Sequence, residues 1–91
     1  MDDMVARDTA EMVRFARKLS DFCDSLDHRA ATLLRECDRA LGAMKDQNGP
    51  VLAQRLSELA GQLKQQVAAG RALADRINRS AALLEQSEEE E

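Results

Sequence analysis

The chain has 91 residues, 44% of them hydrophobic and 33% charged, a balance typical of a single globular domain. It has no Trp or Tyr and only two Phe, while Leu and Ala, both strong helix formers, dominate the apolar residues. The formal net charge is −4, which is the charge of the last four residues, Glu88–Glu91. The neutral body lacks the clustered Lys and Arg that nucleic-acid binding requires.

The first predicted element is a helix over about residues 3–44. Apolar residues recur in this segment at steps of three or four, the spacing of one face of an α-helix. This stripe consists of Met12, Phe15, Leu19, Phe22, Leu26, Ala30, Leu33, Cys37, Leu41 and Met44. Asp8–Glu11 has the spacing of a capping box and offers an alternative, later start for the helix.

The two cysteines, Cys23 and Cys37, both belong to this first predicted helix. They are 14 residues apart, which in a helix separates their Cα atoms by about 21 Å. A disulfide requires a separation below about 7 Å. We therefore expect both thiols to be reduced, with pairing between two subunits as the alternative.

A turn is predicted over residues 45–49, where polar residues and glycine precede the only proline. Asn48, Gly49 and Pro50 are its key residues. Pro50 is expected at the first position of the second helix, with Gly49 or Asn48 as the N-cap. Gly42 is expected to help end the first helix.

The second predicted helix covers about residues 50–86. Its apolar stripe consists of Leu52, Leu56, Leu59, Leu63, Val67, Gly70, Ala74, Ile77, Ala81 and Leu84. The acidic tail, residues 88–91, places like charges at a helix C-terminus, where negative charge is unfavourable. We expect the tail to be disordered.

Two arms of equal length around a short turn predict an all-α fold, an antiparallel two-helix hairpin over residues 1–87. Each stripe is wider than one neighbouring helix can cover, so we expect the hairpin to dimerise into a four-helix bundle. The predicted core and interface residues are Phe15, Leu19, Phe22, Leu26, Leu33, Leu52, Leu56, Leu59, Leu63, Val67, Ile77 and Leu84.

The sequence shows no catalytic constellation, and we predict that the protein is not an enzyme and takes no cofactor. The only histidine, His28, lies on the polar side of the first helix without a second ligand at helical spacing, so no metal site is expected. No apolar run approaches the roughly 18 residues of a membrane span. The N-terminus does not resemble a signal peptide, which predicts a cytoplasmic protein or export without a cleavable signal.

The layout resembles the WXG (ESAT-like) helical hairpins of type VII secretion, which carry Trp-x-Gly in the turn. Here Gln47-Asn48-Gly49 has the glycine, with Gln47 in place of Trp, and Leu56 stands where the family has an apolar residue. Secreted members carry Tyr-x-x-x-Asp/Glu after the second helix. Leu84-Glu85-Gln86-Ser87-Glu88 has that spacing, with Leu in place of Tyr, so Leu84 and Glu88 are the candidate export signal.

The resemblance implies a bacterial homodimer or heterodimer, formed with another hairpin or with the helical N-terminus of a larger secreted protein. The chain would then be a secreted partner or a helper of that protein. The alternative hypothesis is a cytosolic adaptor, chaperone or coiled-coil scaffold unrelated to secretion. A small regulatory protein that uses His28 or the arginines is a third hypothesis.

Overall fold

A computed structural model describes the backbone of residues 2–90 and the side chains of residues 4–87. Within this range the chain forms two helices, α1 over Asp2–Gly42 and α2 over Asn48–Glu90, and no strands. The two helices pack against each other, so the all-α, two-helix prediction is confirmed. The backbone of the acidic tail belongs to α2 as far as Glu90, four residues beyond the predicted end of the helix at 86. The side chains of residues 88–91 lie outside the described residues.

The helices group into two compact units, and in each unit part of α1 packs on part of α2. Unit 1 combines Met1–Cys23 with Ala69–Glu91, and unit 2 is the continuous segment Asp24–Ala68. The start of α1 therefore pairs with the end of α2, and the end of α1 pairs with the start of α2. This is the antiparallel pairing that the matched arms predict.

The interior of unit 1 is a narrow seam of small residues. Thr9, Ala16 and Cys23 are buried along α1, and Ala74 and Ala81 are buried along α2. In each helix these positions are seven residues apart, the repeat at which one side chain of a coiled helix pair returns to the same place. Small side chains at every repeat allow the two backbones to approach closely.

A glycine marks the closest approach within unit 1. A methyl group added to Gly70 would lie 2.5 Å from the sulfur of Cys23. At this distance the Cys23 side chain or one of the two helices would have to move. Because the helices are antiparallel, the residue seven before Cys23 in α1, Ala16, lies opposite the residue seven after Gly70 in α2, Ile77. In the same way, the residue four before Cys23, Leu19, lies opposite the residue four after Gly70, Ala74. In both of these layers a large side chain packs against a small one, so the seam is filled without forcing the helices apart.

Thr9 is a buried polar residue whose hydroxyl is satisfied locally. Its Oγ1 donates a hydrogen bond to the carbonyl oxygen of Ala6 at 3.0 Å, a common way for threonine to be accommodated inside a helix. The alternative helix start at Asp8–Glu11 is therefore wrong: α1 begins at Asp2 and runs through this segment. The threonine hydroxyl binds the preceding turn instead of capping a new helix.

Unit 2 contains the connection between the helices. After α1 ends at Gly42, the amides of Ala43 and Met44 donate to the carbonyls of Ala40 and Leu41 at 3.2 and 3.0 Å. These three-residue hydrogen bonds tighten the last turn and satisfy two carbonyls that the helix leaves free. None of the glycines has a positive φ, so Gly42 ends the helix without the left-handed conformation.

α2 begins two residues earlier than predicted, at Asn48. The carboxylate of Asp46 accepts a hydrogen bond from the amide of Asn48 at 3.2 Å, so Asp46, rather than Asn48 or Gly49, satisfies the first amide of α2. Pro50 is then the third helical residue rather than the first. It still lies in the first turn, where its missing N–H costs no hydrogen bond.

Candidate interaction surface

The structure divides the predicted core and interface residues into two groups of six. The first group lies in the seam of the helix pair, half-buried or buried: Leu19, Leu26, Leu56, Leu63, Val67 and Ile77. The second group is exposed on the hairpin and takes no part in its core: Phe15, Phe22, Leu33, Leu52, Leu59 and Leu84. Whether the second group forms an interface with another chain stays a prediction.

The correction is largest for the two phenylalanines. Phe15 and Phe22 are 57% and 63% exposed, whereas the adjacent Ala16 and Cys23 are 1% and 4% exposed. Consecutive residues of a helix point about 100° apart, so only one member of each pair can face the partner helix. The seam of unit 1 is too narrow for a benzyl group and takes the smaller side chain. The exact seven-residue repeat of small residues was the sequence signal for this arrangement.

One side of unit 1 is a polar groove. It is lined by Val13, Ala16, Arg17, Ser20, Asp21, Ala74, Asp75 and Asn78. Viewed along its helix, Ser20 lies about 40° to one side of Ala16, and Asn78 lies about 40° to the same rotational side of Ala74. Both helices therefore contribute equivalent positions to this groove, as expected for an antiparallel pair.

The opposite side of unit 1 is apolar. Phe15 and Leu73 lie about 100° to the other rotational side of Ala16 and Ala74, respectively, and Phe22 is one seven-residue repeat beyond Phe15. All three side chains are exposed. We call this set, Phe15, Phe22 and Leu73, the apolar side of unit 1. Two phenylalanines within one helical repeat form the kind of exposed patch that marks interaction sites.

Unit 2 also has a groove on one side and exposed apolar residues on the other, but its groove is mainly apolar. Its groove is lined by Asp27, Ala30, Ala31, Leu34, Ala60, Leu63, Lys64 and Val67. Leu59 and Leu52 lie on the other rotational side of α2, about 100° from Ala60 and Ala53, and both are exposed. Leu33 is exposed at about 60° on the same rotational side of Ala30. We call Leu33, Leu52 and Leu59 the apolar side of unit 2.

The candidate reactive residues are dispersed. His28 is exposed, and its backbone carbonyl accepts a hydrogen bond from the Thr32 hydroxyl at 3.1 Å. Cys23 is buried and Cys37 half-buried, and both thiols are free. Among the residues that the structure describes, no three His, Cys, Asp or Glu side chains are close enough to share a metal ion.

The candidate export signal is described only in part. Leu84 lies on α2 and is 45% exposed, while the side chain of Glu88 falls outside the described residues. In the described part of the chain, neither helix contains a stretch long and apolar enough to cross a membrane.

Comparison with protein-family models, with curated proteins and with solved structures found no match to this chain.

Proposed function

We propose that this protein is a small interaction module whose two apolar sides associate with helices of another polypeptide. The observation that carries the proposal is the exposure of Phe15 and Phe22 beside a seam that excludes them. Burying one phenylalanine or leucine side chain is worth about 1.5–3 kcal/mol. Several such side chains left in water by the hairpin provide a strong drive for association, and the four-helix bundle is the simplest closed form.

The specific form of the proposal is a WXG-like hairpin of type VII secretion, acting as a secreted partner or as a helper of a larger secreted protein. It is supported by α1 and α2, 41 and 43 residues long, and by the position of Gly49 beside the turn. Gly49 is buried, and an added methyl group would meet only ordinary contacts with Met44 and Leu41. The glycine of the resemblance is therefore compatible with this turn without being required by it.

The second candidate function is a cytosolic adaptor, chaperone or coiled-coil scaffold. The seven-residue repeat of exposed residues, Phe15 to Phe22 and Leu52 to Leu59, supports it, because this spacing matches partner helices of any origin. The two candidates share the same surface. They differ in whether the protein or its partner leaves the cell.

A tagged full chain purified from its native cells and from the medium tests these proposals. We expect wild type to retain a helical partner, Phe22→Ser to lose it, and Val13→Ser, an exposed position in the polar groove, to keep it. If the protein stayed monomeric at high concentration and retained no partner, the proposal of an interaction module would be wrong. Recovery from the medium that Leu84→Ala abolishes would support secretion, and recovery from the cytosol alone would support the adaptor.

A further inference from the structure

Basic residues interleave with the apolar residues on the exposed sides. Lys18 is three residues after Phe15 and four before Phe22, so all three share one helical face. Arg55 has the same placement in α2, three residues after Leu52 and four before Leu59. The alternation of apolar, basic and apolar residues is therefore repeated in the two units.

Arg76 adds a third basic residue, three positions after Leu73. Lys18, Arg55 and Arg76 are all exposed, and none forms an ion pair with any residue whose side chain is described. The same apolar sides have three acidic neighbours and a fourth basic one, since Asp8 lies one seven-residue repeat before Phe15 and Arg29 lies one repeat after Phe22. The carboxylate of Glu11 forms an ion pair with the guanidinium of Arg14, with a nitrogen–oxygen distance of 2.7 Å. Glu36 follows Leu33 by three residues. Basic charge is therefore in excess beside the exposed apolar residues.

This charge distribution disfavours a second copy as the occupant. Two identical surfaces that meet about a twofold axis place the same residues on both sides of the contact. Lys18, Arg55 and Arg76 would then face a rim with the same basic excess, and like charges across an interface are unfavourable. An acidic rim on the partner would instead complement each of the three.

We propose that the apolar side of each unit docks an amphipathic helical segment of a different protein, one whose apolar stripe is flanked by Asp and Glu. This inference rests on the proposed interaction function and specifies the partner's chemistry. An anionic membrane also attracts basic and apolar side chains. A helical partner fits better, because the apolar residues recur at the seven-residue spacing of helix packing, which a lipid surface does not require.

Two synthetic amphipathic peptides, each about three heptads long, provide the probes. They share one leucine stripe and differ only in flanking residues, Glu in one and Lys in the other. On unit 1, two charge pairs with Lys18 and Arg76 at about 0.2–1 kcal/mol each predict about fivefold tighter binding of the Glu-flanked peptide to the full chain at low salt. We expect this preference to shrink at high salt. Equal binding of the two peptides would overturn the proposal.

Charge-reversed variants locate the effect. The variant with Lys18→Glu, Arg55→Glu and Arg76→Glu should prefer the Lys-flanked peptide, while far-UV circular dichroism should show unchanged helicity.

The control carries the same change in net charge on other faces, as Arg17→Glu, Arg35→Glu and Lys64→Glu. It should keep the preference for the Glu-flanked peptide. If both variants reversed their preference equally, net charge alone would explain the effect and the proposal would be wrong.

Sedimentation of the full chain separates this proposal from the proposed function. We expect self-association to be weak at low salt and stronger at high salt, where repulsion between basic rims is screened. A tight homodimer at low salt would overturn the heteromeric docking while leaving the interaction module intact. If the full chain bound neither peptide and did not self-associate, both the heteromeric docking and the proposed interaction function would be wrong. If the full chain bound phosphatidylserine vesicles but neither peptide, the proposed protein partner would be wrong and an anionic membrane would be the occupant of the apolar sides.

Discussion

Unit 1 and unit 2 are built from the same two helices but have different interiors. In unit 1, Thr9, Ala16, Cys23, Ala74 and Ala81 are all buried. In unit 2, Val67 and Gly49 alone reach that level among the residues with described side chains. The leucines in the seam of unit 2, such as Leu56 and Leu63, remain half-buried. A two-helix hairpin thus excludes water most completely where its facing residues are small.

The physical reason is the shape of the contact. Two rods touch along a line, and a large side chain on that line separates the backbones and opens gaps beside itself. In unit 1, Gly70 and the alanines bring the helices close. In unit 2, the alanines Ala30, Ala31 and Ala60 lie around a small groove that Leu63 and Val67 do not fill. Unit 1 is therefore the more closely packed of the two, whereas the seam of unit 2 contains the larger apolar side chains.

The largest predicted effect tests the dependence of unit 2 on its leucines. Leu63→Asp should lower the free energy of unfolding by about 3 kcal/mol, because it removes a half-buried apolar side chain and places a charge in the seam. Leu59→Asp, at an exposed position, should cost about 1 kcal/mol or less. Thermal unfolding followed by circular dichroism measures both. Equal losses would show that the seam of unit 2 is misassigned.

The next prediction compares the same repeat position in the two units. Ala74 and Ala60 are 14 residues apart, one buried in unit 1 and the other half-buried beside the groove of unit 2. Ala74→Leu should destabilise by about 1–3 kcal/mol through overpacking. Ala60→Leu should be neutral or stabilising, because it fills the groove. Denaturant unfolding measures the stability of both variants. If Ala60→Leu were the less stable variant, the closer packing of unit 1 relative to unit 2 would be contradicted.

Alanine substitutions of two glycines in α2 should change stability in opposite directions. Gly61→Ala should stabilise by about 0.5–1 kcal/mol, because alanine is the better helix former and nothing lies within 4 Å of the new methyl group. Gly70→Ala should instead destabilise by about 1 kcal/mol, because the methyl group meets Cys23.

Removing the sulfur should relieve that conflict. In a double-mutant cycle, Cys23→Ala combined with Gly70→Ala should be more stable than the sum of the two single changes predicts. Strict additivity in thermal melts would mean that Cys23 does not limit the approach of the helices in unit 1.

The smallest effect concerns the turn of unit 2. Asp46→Ala should cost about 1 kcal/mol or less, because it removes the hydrogen bond to the amide of Asn48 and a negative charge at the start of α2. Asp46→Asn, which keeps the acceptor, should retain most of the stability. Gln47→Ala is the neighbouring control in the same melts, and a larger loss there would place the cap at Gln47.

The amino-acid sequence determined the two helices, the break between them and the facing stripe of α2. Turn residues around Pro50 fixed the break to within a few residues, and the steps of three and four from Leu63 to Ala81 matched the buried and half-buried residues of α2. These features depend on local residue preferences and on the helical period. From Leu63 to Ala81 the period alone identified the residues of α2 that face α1.

The tertiary structure decided which part of the wider stripe of α1 faces inward. Phe15 and Ala16 are both apolar and adjacent, so hydrophobicity alone favours the larger residue and predicted Phe15 and Phe22 for the core. The close approach of Cys23 to Gly70 leaves no room there for a side chain as large as that of Phe22, and Ala16 and Cys23 are the buried residues. The phenylalanines are thereby exposed, because which residues are buried depends on the distance between two helices, a quantity that no single helix encodes.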